Sequence, residues 1–140
     1  MIYTASIDNC KDSTYPMVSI DPKVKKSNNI GYYSILMPSK EELDTWNERE
    51  LIKQFYKKYL INLNTEKILR DLENCIILST EEFYKTSIRR VLADYLELKT
   101  SIKIPEIQVY KNNINELYKP NDIKDELKKL VYSAEGTKYE

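Results

Sequence analysis

Glu81 and Arg89, with Ser79 and Ser87 beside them, are the residues of this chain whose types and spacing could do chemistry. They lie in the stretch Cys75–Leu98, CIILSTEEFYKTSIRRVLADYLEL. Cys75, Ile76, Ile77 and Leu78 read as a buried strand, Ser79 to Glu82 as a polar turn, and the remainder as an amphipathic helix with Arg89 and Arg90 near its start. A strand that feeds a helix N-terminus through a polar loop is where α/β proteins place ligands, because unpaired backbone N–H groups converge there and favour anions. In that position Arg89 could grip a phosphate or carboxylate through both arms of its guanidinium. Glu81 could accept from a sugar hydroxyl or act as a general acid or base. Each residue also has an ordinary role. Arg89 can be a solvated or ion-paired side chain, Glu81 and Glu82 complement a helix N-terminus, and Ser79 reads as an N-cap. Ser87 stays open between cap and ligand contact.

The residue types that are missing narrow the chemistry. The chain has no histidine, so Ser-His, Cys-His and His-zinc centres are excluded. Its two glycines, Gly31 and Gly136, cannot build a glycine-rich phosphate loop. No metal, no cofactor and no catalytic residue is assigned from the sequence. With 22 basic and 22 acidic residues the net charge is zero, so no general drive toward nucleic acid or anionic membrane is expected. The two cysteines, Cys10 and Cys75, do not make a disulfide framework and fit a reducing compartment. No secretory signal is visible, and no apolar run approaches the ~20 residues of a bilayer span. The expectation is a soluble cytoplasmic protein. At 140 residues the chain suits one domain with a modest core.

The elements that must position these residues follow from periodicity. Residues 2–7 read as a first strand with Thr4 and Ser6 on one face and Tyr3 and Ala5 on the other, and residues 17–20 as a second. Residues 30–37 read as a third extended piece. If the first two strands flank 75–78 in parallel, Thr4, Ser6 and Asp8 from one tip and Ser19 and Asp21 from the other meet one crevice, although turn chemistry explains the same residues. Ser39 and Glu42 fit a capping box for a helix over 40–47. Apolar residues at 51, 52, 55, 56, 59, 60 and 63 predict a helix over 49–63. Asn64-Thr65 caps a short helix carrying Ile68, Leu69 and Leu72. The helix over 86–98 buries Tyr84 or Ile88, then Val91, Leu92, Tyr95 and Leu96. Residues 104–110 read as a last strand, with Pro105 at its start or on an edge. Asn121-Asp122 caps a terminal helix over 122–133, and the last seven residues read as a frayed end. Tyr56, Tyr59, Tyr84 and Tyr95 fall at core spacing, whereas Tyr15, Tyr32, Tyr33 and Trp46 are freer to stack on a base. Lys23 to Lys26 read as a solvated loop or a lid. The fold class is α/β: one three-layer Rossmann-like domain with a small, mostly parallel sheet over 1–112 and a C-terminal helical extension over 113–140.

The turn segment resembles the domain-of-unknown-function 488 family. Its members run from an LLC strand through Y-E and a loop to Cys-His-Arg opening a helix with an LVAEWL-like sequence. The same frame reads here IILSTEE, FYKT and SIRRVLADYL without a gap. IYTAS, VSI, YYSILMPSKEELDTWN and IKIPEIQ are similar to further segments of that family, so the likeness spans about residues 1–110. It implies that Glu81 and Arg89 stand where the family has Glu and Arg. It also implies that Ser79 and Ser87 replace two cysteines and that Ile88 replaces the histidine. Serines without a nearby base are poor nucleophiles, so the departures point to binding rather than catalysis.

The resulting expectation is a catalytically degraded domain that binds, and sequesters, an anionic nucleotide-like small molecule. Its site would draw on Glu81, Arg89, Ser87, Ser79, Thr4 and Ser19. A phage or mobile-element protein acting in counter-defence fits that description. The alternatives are a nucleotide-directed hydrolase or glycosidase using Glu81, and a protein-interaction or inhibitor module whose terminal helix makes a homodimer.

Overall fold

The computed structural model describes residues 1–11 and 13–134. Four parallel strands form the main sheet: β1 (Tyr3–Ser6), β2 (Met17–Ser19), β3 (Ile30–Tyr32) and β4 (Ile76–Ser79), in the order β1-β4-β2-β3. β4 is central. Its residues Ile76, Ile77 and Leu78 are fully buried, as expected of a strand covered on both faces. In register, Ser6 of β1 stands beside Ser79, and Ser19 of β2 stands beside Leu78. The tips of β1 and β2 therefore flank the tip of β4, as their residue types suggest.

The helices are α1 (Lys40–Thr45), α2 (Glu48–Phe55), α3 (Thr65–Asp71), α4 (Ile88–Thr100) and α5 (Asp122–Ala134). The larger core joins Ile77 and Ile2 to Leu51, Ile52 and Phe55 of α2, to Ile88, Val91, Leu92 and Leu96 of α4, and to Ile123, Leu127 and Val131 of α5. The other face of the sheet holds Ala5, Ile76 and Leu78 against Cys10, Ile107 and Val109. A hairpin covers that face: β5 (Ile107–Tyr110) and β6 (Asn113–Glu116), paired antiparallel. The hairpin joins the sheet edge through Thr4, whose N–H donates to the carbonyl of Pro105 at 3.0 Å. Pro105 has no N–H to contribute and so sits on the edge just before β5.

Several boundaries differ from the periodic reading. Ser39 and Glu42 do form a capping box at α1. The predicted 49–63 helix begins one residue after Asn47, whose side chain accepts from the N–H of Glu50, and α2 passes at Tyr56–Leu60 into a π-helical turn. Phe55, Tyr56 and Leu60 are all buried across that turn. The extended piece at 30–37 is a strand only to Tyr32, followed by a 3-10 turn at Ser34–Leu36. Tyr84 is not core: it is 58% exposed, because α4 starts only at Ile88 and Tyr84 belongs to the preceding loop. The strand β6 is an addition to the sequence reading. Lys111 and Asn112 both have positive φ (49° and 64°), the geometry of a two-residue type I′ hairpin turn. The frayed end expected at 134–140 lies outside the described residues from 135 onward. Cys10 and Cys75 are both free and buried.

Candidate functional site

Each tip of the central strands is tied down locally. At the end of β2, the Ser19 hydroxyl donates to the Asp21 carbonyl and accepts from the Asp21 N–H, both at 2.9 Å. The buried Asp21 carboxylate accepts from the Lys23 N–H at 2.9 Å, and from the N–H and hydroxyl of Thr80 at 2.8 and 2.6 Å. That carboxylate joins the exit loop of β2 to the exit loop of β4. At the start of α4, the Ser87 hydroxyl accepts from the Arg90 N–H at 3.2 Å. Ser87 is thus the N-cap. One oxygen of Glu81 accepts from the Ile88 N–H at 3.1 Å. Two of the unpaired N–H groups of the helix are then satisfied from within the chain.

Ser79 is not the cap; it faces a buried ionic network. Arg89 is fully buried. Its Nη1 donates to the Ser79 hydroxyl and to the Glu81 carbonyl, both at 2.8 Å. Its Nη2 and Nε donate to Glu106 at 2.7 and 3.1 Å. Thr4 donates to the same Glu106 carboxylate at 2.7 Å and accepts from Arg90 Nη1 at 2.7 Å. Arg90 also donates to the Ile104 carbonyl at 2.8 Å and to Asp94 at 2.7 Å, while its Nε is buried without a hydrogen-bond partner. Burial pushes the Asp94 carboxyl up, against the pull of Arg90 and Lys119. Glu97 extends the chain of charges: it accepts from the Ile104 N–H at 2.7 Å and from Lys119 and Lys124. Desolvation raises its carboxyl, but those donors outweigh it and hold the group below its usual value.

The six residues expected to form the site therefore divide. Arg89, Ser79 and Thr4 come together, but in a buried network where Glu106 already fills the guanidinium fork. Ser87 and Ser19 serve as cap and turn. Glu81 alone of the six lines an open cleft, of about 330 Å³, at the C-terminal ends of β2 and β4. Its Oε1 is buried without a hydrogen-bond partner and lies 3.7 Å from Arg89 Nη1. Trp46, Leu43 and Leu51 supply the apolar wall, and Asp21, Thr80, Thr86 and Glu48 the polar one. Lys23 and Lys85 contribute the cations. Lys23 is paired with Asp44 at 2.7 Å, a hydrogen bond that raises its pKa. Lys85 makes no ion pair among the described residues.

Sequence reasoning missed Glu106 and Asp94. Their signal is a carboxylate set within an apolar run, in IPEIQ and in VLADYL, where burial demands a cationic partner. Lys85 and Thr80 have no comparable signal. No group of three or more His, Cys, Asp or Glu side chains among the described residues could hold a metal ion. No helix among them is long and apolar enough to cross a membrane. No family model, no curated protein and no solved structure matches this chain.

Proposed function

We propose that the cleft between β2, β4 and α1–α2 binds, and sequesters, a small hydroxyl-bearing ring compound of nucleoside or nucleotide type. The observation that carries this reading is the cleft at the ends of β2 and β4, where Glu81 and Trp46 line one space together with Thr80, Thr86 and Lys85. The Glu81 side chain is 21% exposed in that wall, and its Oε2, which accepts one hydrogen bond from the Ile88 N–H, has capacity for a ligand hydroxyl. The Trp46 ring offers a face for a base. A phosphate would be held at the rim by Lys85 and Lys23, not by Arg89, whose fork is occupied by Glu106. The resemblance of the turn segment to the domain-of-unknown-function 488 family, with Glu81 and Arg89 standing where that family has Glu and Arg, supports reading the chain as a divergent member. A degraded site in a phage or mobile-element protein acting in counter-defence is the biological setting proposed with it.

Titration calorimetry with the four ribonucleosides and their 5′-monophosphates tests the proposal. At least one compound should bind, and Glu81→Gln and Trp46→Ala should each weaken it about tenfold or more. No heat from any compound, with a featureless native mass spectrum of the purified protein, overturns it. The place of Glu81 in the cleft wall favours a second reading, in which the carboxylate serves as acid/base in hydrolysis of a nucleotide or a glycosidic bond. Chromatography of the compounds after long incubation decides that point: turnover that survives Glu81→Gln unchanged removes Glu81 from the chemistry.

A further inference from the structure

Two cavities of about 310 and 390 Å³ meet at Lys57 and Ile61 and make one groove. It shares no lining residue with the cleft at the ends of β2 and β4. Lys53, Lys57 and Ile61 recur at four-residue spacing along α2 and the π-helical turn, while Phe55, Tyr56 and Leu60 between them are buried. Lys58 and, from α3, Lys67 complete the cationic lining. Among the described residues no carboxylate lines either cavity. A chain with 22 basic and 22 acidic residues thus sets four lysines together here. Lys58 is paired with Glu42 and Lys67 with Asp71. Lys53 and Lys57 make no ion pair and no side-chain hydrogen bond among the described residues, so their charge is free for a partner.

The groove is apolar as well as basic. Ile35 is 59% and Ile61 42% exposed in its wall, with Leu63 and Leu130 beside them. Aliphatic side chains left to water within a polar rim mark a surface for association. The kind of partner follows from the lining. Nucleic acid needs free aromatic faces for its bases. The tyrosines here, Tyr56 and Tyr59, are packed on Tyr95 and Phe55, with ring centroids 5.9 and 5.3 Å apart. A bilayer needs apolar side chains that protrude, whereas these line a depression. A peptide that carries carboxylates beside Leu or Ile satisfies both the lysines and the aliphatic wall.

We propose that this groove docks an acidic, leucine- or isoleucine-bearing segment of a protein partner. Lys53 and Lys57 pair with its carboxylates, and Ile35 and Ile61 receive its aliphatic side chains. Such docking needs no ligand in the β2–β4 cleft.

A random peptide display library selected on the immobilised full chain supplies the probes. Enriched peptides should carry Asp or Glu beside Leu or Ile. Measured by fluorescence anisotropy, they should lose about tenfold or more in affinity in the Lys53→Glu, Lys57→Glu variant and, separately, in Ile61→Ser. These residues are exposed, so the circular dichroism melting temperature should stay unchanged. Raising the salt from about 0.05 to 0.5 M should weaken binding several-fold. No enrichment, enriched peptides without acidic residues, or affinity unchanged in the variants overturns the docking site. Tighter binding of phosphatidylserine vesicles or of an oligothymidylate, lost in the same variants, overturns it in favour of a membrane or nucleic acid. A dimer seen by light scattering and abolished by Lys53→Glu, Lys57→Glu overturns it in favour of a second copy of the chain.

Discussion

Arg89 and Glu106 meet with neither side chain exposed to solvent. A buried ion pair of this kind is weak evidence of net stabilisation, because desolvating both charges offsets much of their attraction. Removing one partner is different, since the other is left buried and uncompensated. Glu106→Gln should therefore destabilise the protein by about 3–5 kcal/mol, measured by urea unfolding. The Arg89→Met, Glu106→Met double variant should lose less than that single change. Glu42 carries a pH dependence. Desolvation raises its carboxyl, but hydrogen bonds from Lys58, the Ser39 N–H and Tyr59 outweigh it and bring the group down to about 2. A folded-state pKa below the ordinary 4.5 means the stabilisation is full above pH 4.5 and is lost as pH falls toward 2. Urea midpoints for the native chain and Glu42→Gln should differ at pH 7 and converge near pH 2. A constant difference across that range would assign the effect to packing.

Helix α4 shows which features of an element are legible in a sequence. Its apolar periodicity and polar lead-in announce a helix after a buried strand, and Val91, Leu92, Tyr95 and Leu96 are buried as that spacing requires. The cap is not legible, because Ser79 and Ser87 both have the right side chain. The choice depends on where Arg89 and Glu106 meet across the fold. Ser87→Ala should cost about 1 kcal/mol through loss of the Arg90 N–H acceptor. β6 escapes notice for another reason. Asn113–Glu116 is polar and mostly exposed, with no alternation to mark a strand. Its signal lies in the turn, where Lys111 and Asn112 take positive φ. Asn tolerates that conformation and a β-branched residue does not, so Asn112→Ile should destabilise by about 1–2 kcal/mol in thermal unfolding. A loss below a few tenths would mean that the hairpin forms without this turn.

On the scale of the whole molecule, the parallel sheet and the crevice at its C-terminal edge follow from the order of strand-like and helix-like segments. The occupancy of that crevice does not. It depends on α1, α2 and the 80–86 loop closing around a space whose walls are far apart in sequence: Asp21, Trp46 and Glu81. The same holds for the division of the chain at residue 113. α5 reads as an appended helix, yet Ile123, Leu127 and Val131 belong to the same core as α2 and α4. Lys119 and Lys124 also converge on Glu97 of α4, at 3.0 and 2.6 Å. Burying three such side chains contributes about 1.5–3 kcal/mol each. A domain of this size has a total stability of about 5–15 kcal/mol. α5 therefore packs as part of the core, and its removal is expected to destabilise the rest of the chain. Leu127→Ala should cost about 2–5 kcal/mol, because it opens a cavity where the side chain is fully buried. A chain ending at residue 118 should lose its cooperative thermal transition and expose apolar surface to a fluorescent dye. A truncated protein that still melted sharply near the native temperature would show that α5 is an accessory to the core.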